Sequence, residues 1–172
     1  MRIALCQINT TVGDFDGNRD KVLEFAGRAH AAGARLAVFP EMTLTGYPPR
    51  DLLERGGFAD RCQLAVNQVV AGTTRFPGLG VVVGGISRNL ALGKPLFNDG
   101  VLAADGRVLS IHRKSLLPNY DVFDEERYFE PAGAVLPASY QGVRLGVTVC
   151  EDIWNDKHVW TGGRYRINPI HD

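Results

Sequence analysis

The sequence lacks net charge, has few cysteines and contains no long apolar run. Its 172 residues carry 19 basic and 19 acidic side chains, a formal net charge of zero. A general nucleic-acid binder would show a basic excess or stripe, and a solvating acidic chain would show the opposite. The balance argues against both. No apolar stretch approaches the roughly 20 residues that a membrane helix needs. The N-terminal run Met1-Arg2-Ile3-Ala4-Leu5-Cys6 has neither a long apolar region nor a small-residue cleavage site, and it reads as a strand, not a secretory signal. Neither nucleic acid nor membrane is expected as a partner. The three cysteines, Cys6, Cys62 and Cys150, are odd in number and widely spaced, which argues against a disulfide framework. No CxxC pair is present to suggest a thiolate zinc site, and His30, His112, His158 and His171 form no HExxH pattern. The expected compartment is a reducing cytoplasm.

What is present fits a globular domain. Hydrophobic residues make up 45% and charged residues 22%, and the length allows a sizeable core. Glycine is abundant, 20 of 172 residues, or about 12% against a usual value of about 7%. Its dispersal points to tight turns, not low complexity. Residues 3–8 form a short apolar strand. Val22, Phe25, Ala26 and Ala29 then recur at helical spacing within residues 18–33, with Gly33 placed as a C-terminal cap. Residues 35–39 form a second strand ending at Pro40. A second helix over 59–71 carries Cys62, Ala65, Val66, Val69 and Val70 on one side. Residues 80–86 read as a buried strand, and 96–104 with 107–112 as a hairpin about Asp105-Gly106. Residues 113–131 are irregular, and 142–149 form a final apolar strand. Strands alternating with helices, then a hairpin, predict a mixed α/β sheet. Helices on one face would leave the other face in need of a partner layer.

Three of these strands end in a reactive side chain. Residues 35–40 deliver Glu41, the strand near His112-Arg113 delivers Lys114, and residues 144–149 deliver Cys150. Ligands of open α/β sheets bind beyond strand ends, so a carboxylate, an amine and a thiol are placed to converge. A thiol of ordinary pKa gains from an adjacent base. Glu41 would accept its proton and pass it to a leaving amine. Lys114 and the backbone N–H of Glu151 would hold an oxyanion. That chemistry is acyl transfer through a thioester. Taken singly, each residue has an ordinary reading: a solvated loop glutamate, a lysine in a basic run, a buried small cysteine. The functional reading rests on their joint occurrence. Asp121, Asp124, Glu125 and Glu126 read as a solvated acidic loop, because calcium-loop spacing is absent; Glu125 is a further candidate to support Lys114 by a hydrogen bond. Val83-Gly84-Gly85 lacks a phosphate-loop pattern and reads as a strand end. Cys6 and Cys62 read as core.

Three segments carry a resemblance. Val38-Phe39-Pro40-Glu41-Met42, His112-Arg113-Lys114-Ser115-Leu116-Leu117-Pro118 and Gly146-Val147-Thr148-Val149-Cys150-Glu151-Asp152-Ile153-Trp154 resemble, in order, the glutamate, lysine and cysteine motifs of the nitrilase, or carbon–nitrogen hydrolase, superfamily. Longer strings, residues 114–129 and 44–53, are similar to the N-terminal glutaminase domains of the glutamine-dependent NAD+ synthetase family. The resemblance implies a nitrilase-like αββα sandwich, incomplete at the C-terminus, with residues 1–172 a partial carbon–nitrogen hydrolase (glutaminase) domain and the synthetase domain absent. It implies Glu41 as general base, Lys114 as oxyanion stabiliser and Cys150 as nucleophile. Tyr120 matches a residue that contacts glutamine, and Glu151 is assigned to its amino group. The partners it implies are L-glutamine, the synthetase domain of a parent enzyme, and further copies in a homo-oligomer. No cofactor or metal is implied for the glutaminase step; ATP and magnesium belong to the absent synthetase domain, which would use the released ammonia on adenylated deamido-NAD+. Three alternatives stay open: a stand-alone amidase or carbamoylase, an inactive truncated remnant, and a Cys–His hydrolase with His112 as base.

Overall fold

The computed structural model describes residues 1–156, 158–159 and 165–170. A five-stranded sheet in the order β1-β2-β3-β4-β5 is its backbone. β1 (Ile3–Leu5), β2 (Leu36–Val38) and β3 (Gly80–Arg88) are parallel, while β4 (Leu96–Ala104) and β5 (Arg107–Arg113) continue antiparallel. Parallel neighbours require long crossovers, and here α1 (Phe15–Ala31) and α2 (Phe58–Gly72) supply them.

Local chemistry explains the helix ends. The Asp14 side chain accepts the Gly17 N–H at 3.0 Å and caps α1. At the other end Gly33 takes φ 74°, and the N–H groups of Gly33 and Ala34 donate to the carbonyls of His30 and Ala29. This is the paired closure that a left-handed residue after a helix permits. Asp105 and Gly106 both have positive φ, as the tight β4–β5 hairpin requires.

Both helices cover one face of the sheet. Val22, Ala26 and Ala29 of α1 and Cys62, Ala65, Val66, Val69 and Val70 of α2 share one core with Val81, Val83, Val101 and Ala103. Cys6 and Cys62 lie in that core, as expected. The opposite face presents Leu36, Val82, Leu102 and Ala104, and packs against Ala138 and Tyr140. Those two residues belong to β6 (Ala138–Tyr140), which pairs with β7 (Val143–Leu145) as a separate small sheet. The partner layer anticipated for the second face is therefore this hairpin.

Three sequence expectations need correction. β1 stops at Leu5 instead of residue 8, since beyond it only the Cys6 N–H continues the bonding, to the Val38 carbonyl. The strand expected over 142–149 pairs only over Val143–Leu145; residues 146–149 run on outside any ladder. The sequence reading also missed β6, which has only three residues. Of the four histidines named in the sequence, His171 lies outside the described residues.

Candidate active site

The end of β2 turns sharply over β3. Met42 adopts φ 46°, Leu44 donates its N–H to the Gly84 carbonyl at 3.1 Å, and Thr43 hydrogen-bonds back to the Pro40 carbonyl. Gly84 is what lets the turn lie so close: a Cβ there would stand 2.4 Å from the Met42 nitrogen and 2.5 Å from the Pro40 oxygen. Gly84 pairs across the ladder with Gly100, whose missing side chain leaves room for Val147 and Val149. A pair of glycines in the sheet thus forms the floor beneath the Glu41 turn and the approach to Cys150.

Lys114 follows β5 and is fixed by its own N–H, which donates to the Asn98 carbonyl at 2.8 Å. Its side chain has no solvent exposure. The ammonium reaches Glu41 Oε1 at 2.7 Å, and Glu125 Oε1 and Oε2 at 2.9 and 2.8 Å. Glu125 sits in a short 3₁₀ turn, Glu125–Arg127, and accepts the Tyr47 hydroxyl at 3.2 Å. Burial disfavours the Lys114 charge, but the two carboxylates outweigh it and hold its pKa above the ordinary lysine value. Burial, with the Glu41 charge adding to it, pushes the Glu125 carboxyl up, against the pull of Lys114 and the Tyr47 hydrogen bond. Asn98, also buried, donates its Nδ2 to Glu41 Oε1 at 2.6 Å.

Cys150 opens a second short 3₁₀ turn, Cys150–Ile153, with φ 44°. Left-handed geometry is uncommon for a residue with a Cβ and recurs at functional sites. Cys150 is exposed, unlike the other two cysteines. Glu41 and Cys150 line the same cavity, of about 350 Å³. The surrounding protein and, next, the Glu41 carboxylate push the Cys150 thiol up to about 11, against the pull of Lys114. At neutral pH the group is a thiol, and nucleophilic use of it calls for a base.

Asp152 joins the two halves. Its Oδ1 accepts the N–H groups of Ser115 and Leu116 at 2.9 and 2.8 Å, and its Oδ2 accepts that of Val149 at 3.0 Å. One buried carboxylate therefore ties the Cys150 turn to the segment after Lys114. Beyond it, Glu151 is buried, with Oε2 taking the Tyr120 hydroxyl at 2.8 Å and Oε1 the Tyr165 hydroxyl at 2.9 Å.

All five residues singled out from the sequence thus fall in one region. Glu41 and Lys114 touch, Tyr120 and Glu151 touch, and Cys150 shares a cavity with Glu41 and directly precedes Glu151. Glu125 does hydrogen-bond Lys114. Sequence reasoning missed Asn98, Asp152 and Tyr165. A signal existed for the first: Asn98-Asp99 interrupts a strand that is otherwise apolar and wholly buried. His112 lines a different cavity, bonds Ser110 Oγ at 2.8 Å and has its pKa lowered by burial; it is not brought to Cys150. Asp121, Asp124 and Glu126 are exposed, and no metal-ligating cluster occurs among the described residues. Among those residues no helix is long and apolar enough to cross a membrane.

Comparison with known proteins matches residues 2–161 to the carbon-nitrogen hydrolase family. The chain is 37% identical, over 99% of its length, to the glutamine-dependent NAD(+) synthetase of Synechocystis sp., and spans 31% of that protein. It is similar in structure to the glutamine-dependent NAD+ synthetase of Acinetobacter baumannii, with TM-score 0.79 and 34% identity, covering 91% of this chain and 29% of that one. An amidase from Nesterenkonia sp. superposes with TM-score 0.76 and 26% identity, covering 89% of this chain and 56% of that one; a mutant of that amidase is known with acrylamide added at its active-site cysteine. With the family model spanning nearly all of its residues, the chain belongs to the carbon–nitrogen hydrolases.

Proposed function

We propose that this domain hydrolyses the side-chain amide of L-glutamine through a thioester on Cys150, as the glutaminase part of an NAD+ synthetase. The observation that carries the reading is the Glu41–Lys114 contact of 2.7 Å beside a cavity that Glu41 shares with Cys150. A protonated thiol with a carboxylate at hand and a buried ammonium behind it is the equipment of base-assisted acyl transfer.

Glu41 takes the thiol proton as Cys150 Sγ bonds to the amide carbon. The carbonyl oxygen gains negative charge, which Lys114 and the Glu151 backbone N–H stabilise. Collapse breaks the C–N bond, and Glu41 gives its proton to the leaving nitrogen, so ammonia departs. Water then attacks the thioester, with Glu41 taking one proton and returning it to the sulfur as the C–S bond breaks. Glutamate leaves. Tyr120 and Glu151 receive the amino-acid end of the substrate, Glu151 through its carboxylate to the substrate ammonium. The ammonia serves an ATP- and magnesium-dependent synthetase domain of the parent enzyme, in the cytoplasm and within a homo-oligomer; the glutaminase step itself uses no cofactor.

A diazo-ketone analogue of glutamine tests this. Mass spectrometry should find one adduct, on Cys150, and none in Cys150→Ala. Ammonia release from glutamine should exceed that from simple aliphatic amides by about tenfold or more, the scale on which one well-made polar contact discriminates. The likeness to an amidase favours the second reading, and faster release from short aliphatic amides would establish it. A folded sample that neither labels nor releases ammonia would sink both and leave the inactive remnant.

A further inference from the structure

We propose that Asn98 is a positioning residue that fixes the Glu41 carboxylate so that Oε2 is the oxygen presented to Cys150. The inference rests on the reading of Glu41 as the base.

Contacts on the Glu41 carboxylate are unevenly distributed. Both of its hydrogen bonds fall on one oxygen: Lys114 Nζ at 2.7 Å and Asn98 Nδ2 at 2.6 Å each reach Oε1. Oε2 accepts no hydrogen bond from the described residues. A carboxylate held at one oxygen by a single donor can still swing about that contact. Two donors, arriving from β4 and from the end of β5, remove that freedom. The oxygen left over belongs to a side chain lining the cavity that contains Cys150.

The amide orientation is set by chemistry. A carboxylate can only accept, so the Asn98 atom facing it must be the nitrogen. That choice leaves Asn98 Oδ1 buried without a partner. Every other described neighbour of Asn98 along β4, apart from Asp99, is apolar or glycine. An apolar residue at 98 would avoid the unpaired acceptor, so the asparagine costs stability at a place where only Glu41 gains from it. Asn98 also receives the Lys114 N–H on its backbone carbonyl at 2.8 Å. It therefore sets the separation of the two charged groups through its main chain and their mutual orientation through its side chain.

The test compares Asn98→Leu, Glu41→Gln and the double variant in the full chain. Two quantities are read: ammonia release from glutamine, and the pH profile of Cys150 alkylation by iodoacetamide, followed by peptide mass spectrometry. Asn98→Leu keeps the branching at Cγ and removes the donor; Asn98→Ser, smaller and too short to reach Glu41, is the second variant should the bulkier leucine protein not fold. The kcat should fall about ten- to a hundredfold, the range for residues that orient a reacting group from behind, with KM within about twofold. The alkylation midpoint of the parent, raised to about 11 by burial and then by the Glu41 carboxylate, should move part of the way down towards the ordinary thiol value of 9.0, because burial remains while a displaced carboxylate no longer holds the thiol proton in place. Glu41→Gln should shift it the same way, and the double variant should shift it no further. Flanking charges on Lys114, Glu125 and Glu151 are common to all four proteins. An unchanged kcat in Asn98→Leu, or a double variant whose midpoint shift is the sum of the two single shifts, overturns the assignment of Asn98 while leaving Glu41 as base. A parent that releases no ammonia, or a Glu41→Gln variant that equals the parent, overturns the reading of Glu41 and the inference with it.

Discussion

The charged side of the site and the thiol side are built in opposite ways. Glu41 and Lys114 are tied to Asn98 of the β4 ladder, Glu125 closes on the lysine from its 3₁₀ turn, and every donor on the Lys114 ammonium has a carboxylate oxygen in reach. The lysine side chain is wholly buried. Cys150 lies at the end of a segment outside any ladder, on a left-handed residue, and is open to solvent. The first arrangement keeps charges where they must act without reorganisation. The second leaves the attacking atom accessible to a substrate. Rigidity is thus concentrated in the groups that stabilise charge and relaxed where a covalent bond must form and break. Asp152 bridges them.

Removing a member of each side should expose the difference most sharply. Lys114→Met leaves the buried Glu125 and the part-buried Glu41 carboxylates facing each other, and breaking a buried ion pair typically costs about 3–5 kcal/mol. Cys150→Ala should cost under about 1 kcal/mol, as substitutions at exposed positions do. Urea unfolding of the two variants measures both. The pH dependence has a definite sign. A lysine whose pKa is raised in the folded state contributes stability that is fully present below its ordinary 10.5 and is lost as pH rises through the folded value. The parent should therefore lose stability in that alkaline range, and Lys114→Met should lack this component. Equal losses for the lysine and cysteine variants would abolish the contrast between the two sides.

The bridge gives an intermediate effect. Asp152→Ala removes the acceptor of three backbone N–H groups. An orphaned buried donor costs about 1–3 kcal/mol, and water entering from the adjoining cavity, which Asp152 borders, will replace part of this. A net loss of about 2–4 kcal/mol is expected. Asp152→Asn keeps one acceptor oxygen and should lose about half as much. Cys150 labelling should fall in the alanine variant more than stability alone explains, because the thiol turn is then no longer tied to the lysine segment. Labelling that tracks only the folded fraction would show the bridge to be structural.

The elements that were legible in the sequence share a cause. β3 is an apolar run that opens at Gly80, the β4–β5 hairpin is a pair of strand-like runs about Asp105-Gly106, and the helices show a buried stripe at the helical period. The site's strand-end residues were legible because each follows such a run directly. Residues 142–149 misled for the complementary reason. Their alternation looks like a strand, yet a strand exists only where a ladder partner does, and Ala138–Tyr140 reaches no further than Val143–Leu145. Asn98 and Asp152 act by hydrogen bonds to groups far away in sequence, and no local pattern announces such partners. The one available trace was the polar Asn98-Asp99 step inside a buried strand, a local inconsistency of the kind that functional sites tolerate.

The smallest effect tests how far the rigid side extends. The Tyr47 hydroxyl reaches Glu125 Oε1 at 3.2 Å, from a residue at the surface of the site. Burial, then the Glu125 charge, raises its pKa well above the ordinary tyrosine value, so the hydroxyl keeps its proton at neutral pH and remains a donor. Glu125 already has both oxygens on Lys114, and Tyr47 supplies only an outer, longer contact. Tyr47→Phe should cost about 1 kcal/mol or less, the net worth of one such bond, and should slow ammonia release by about fivefold at most. A loss approaching that of Lys114→Met would mean that the tyrosine, as much as the lysine, holds Glu125 in place. The boundary of the rigid side would then lie one shell further out, at the turn that carries Tyr47.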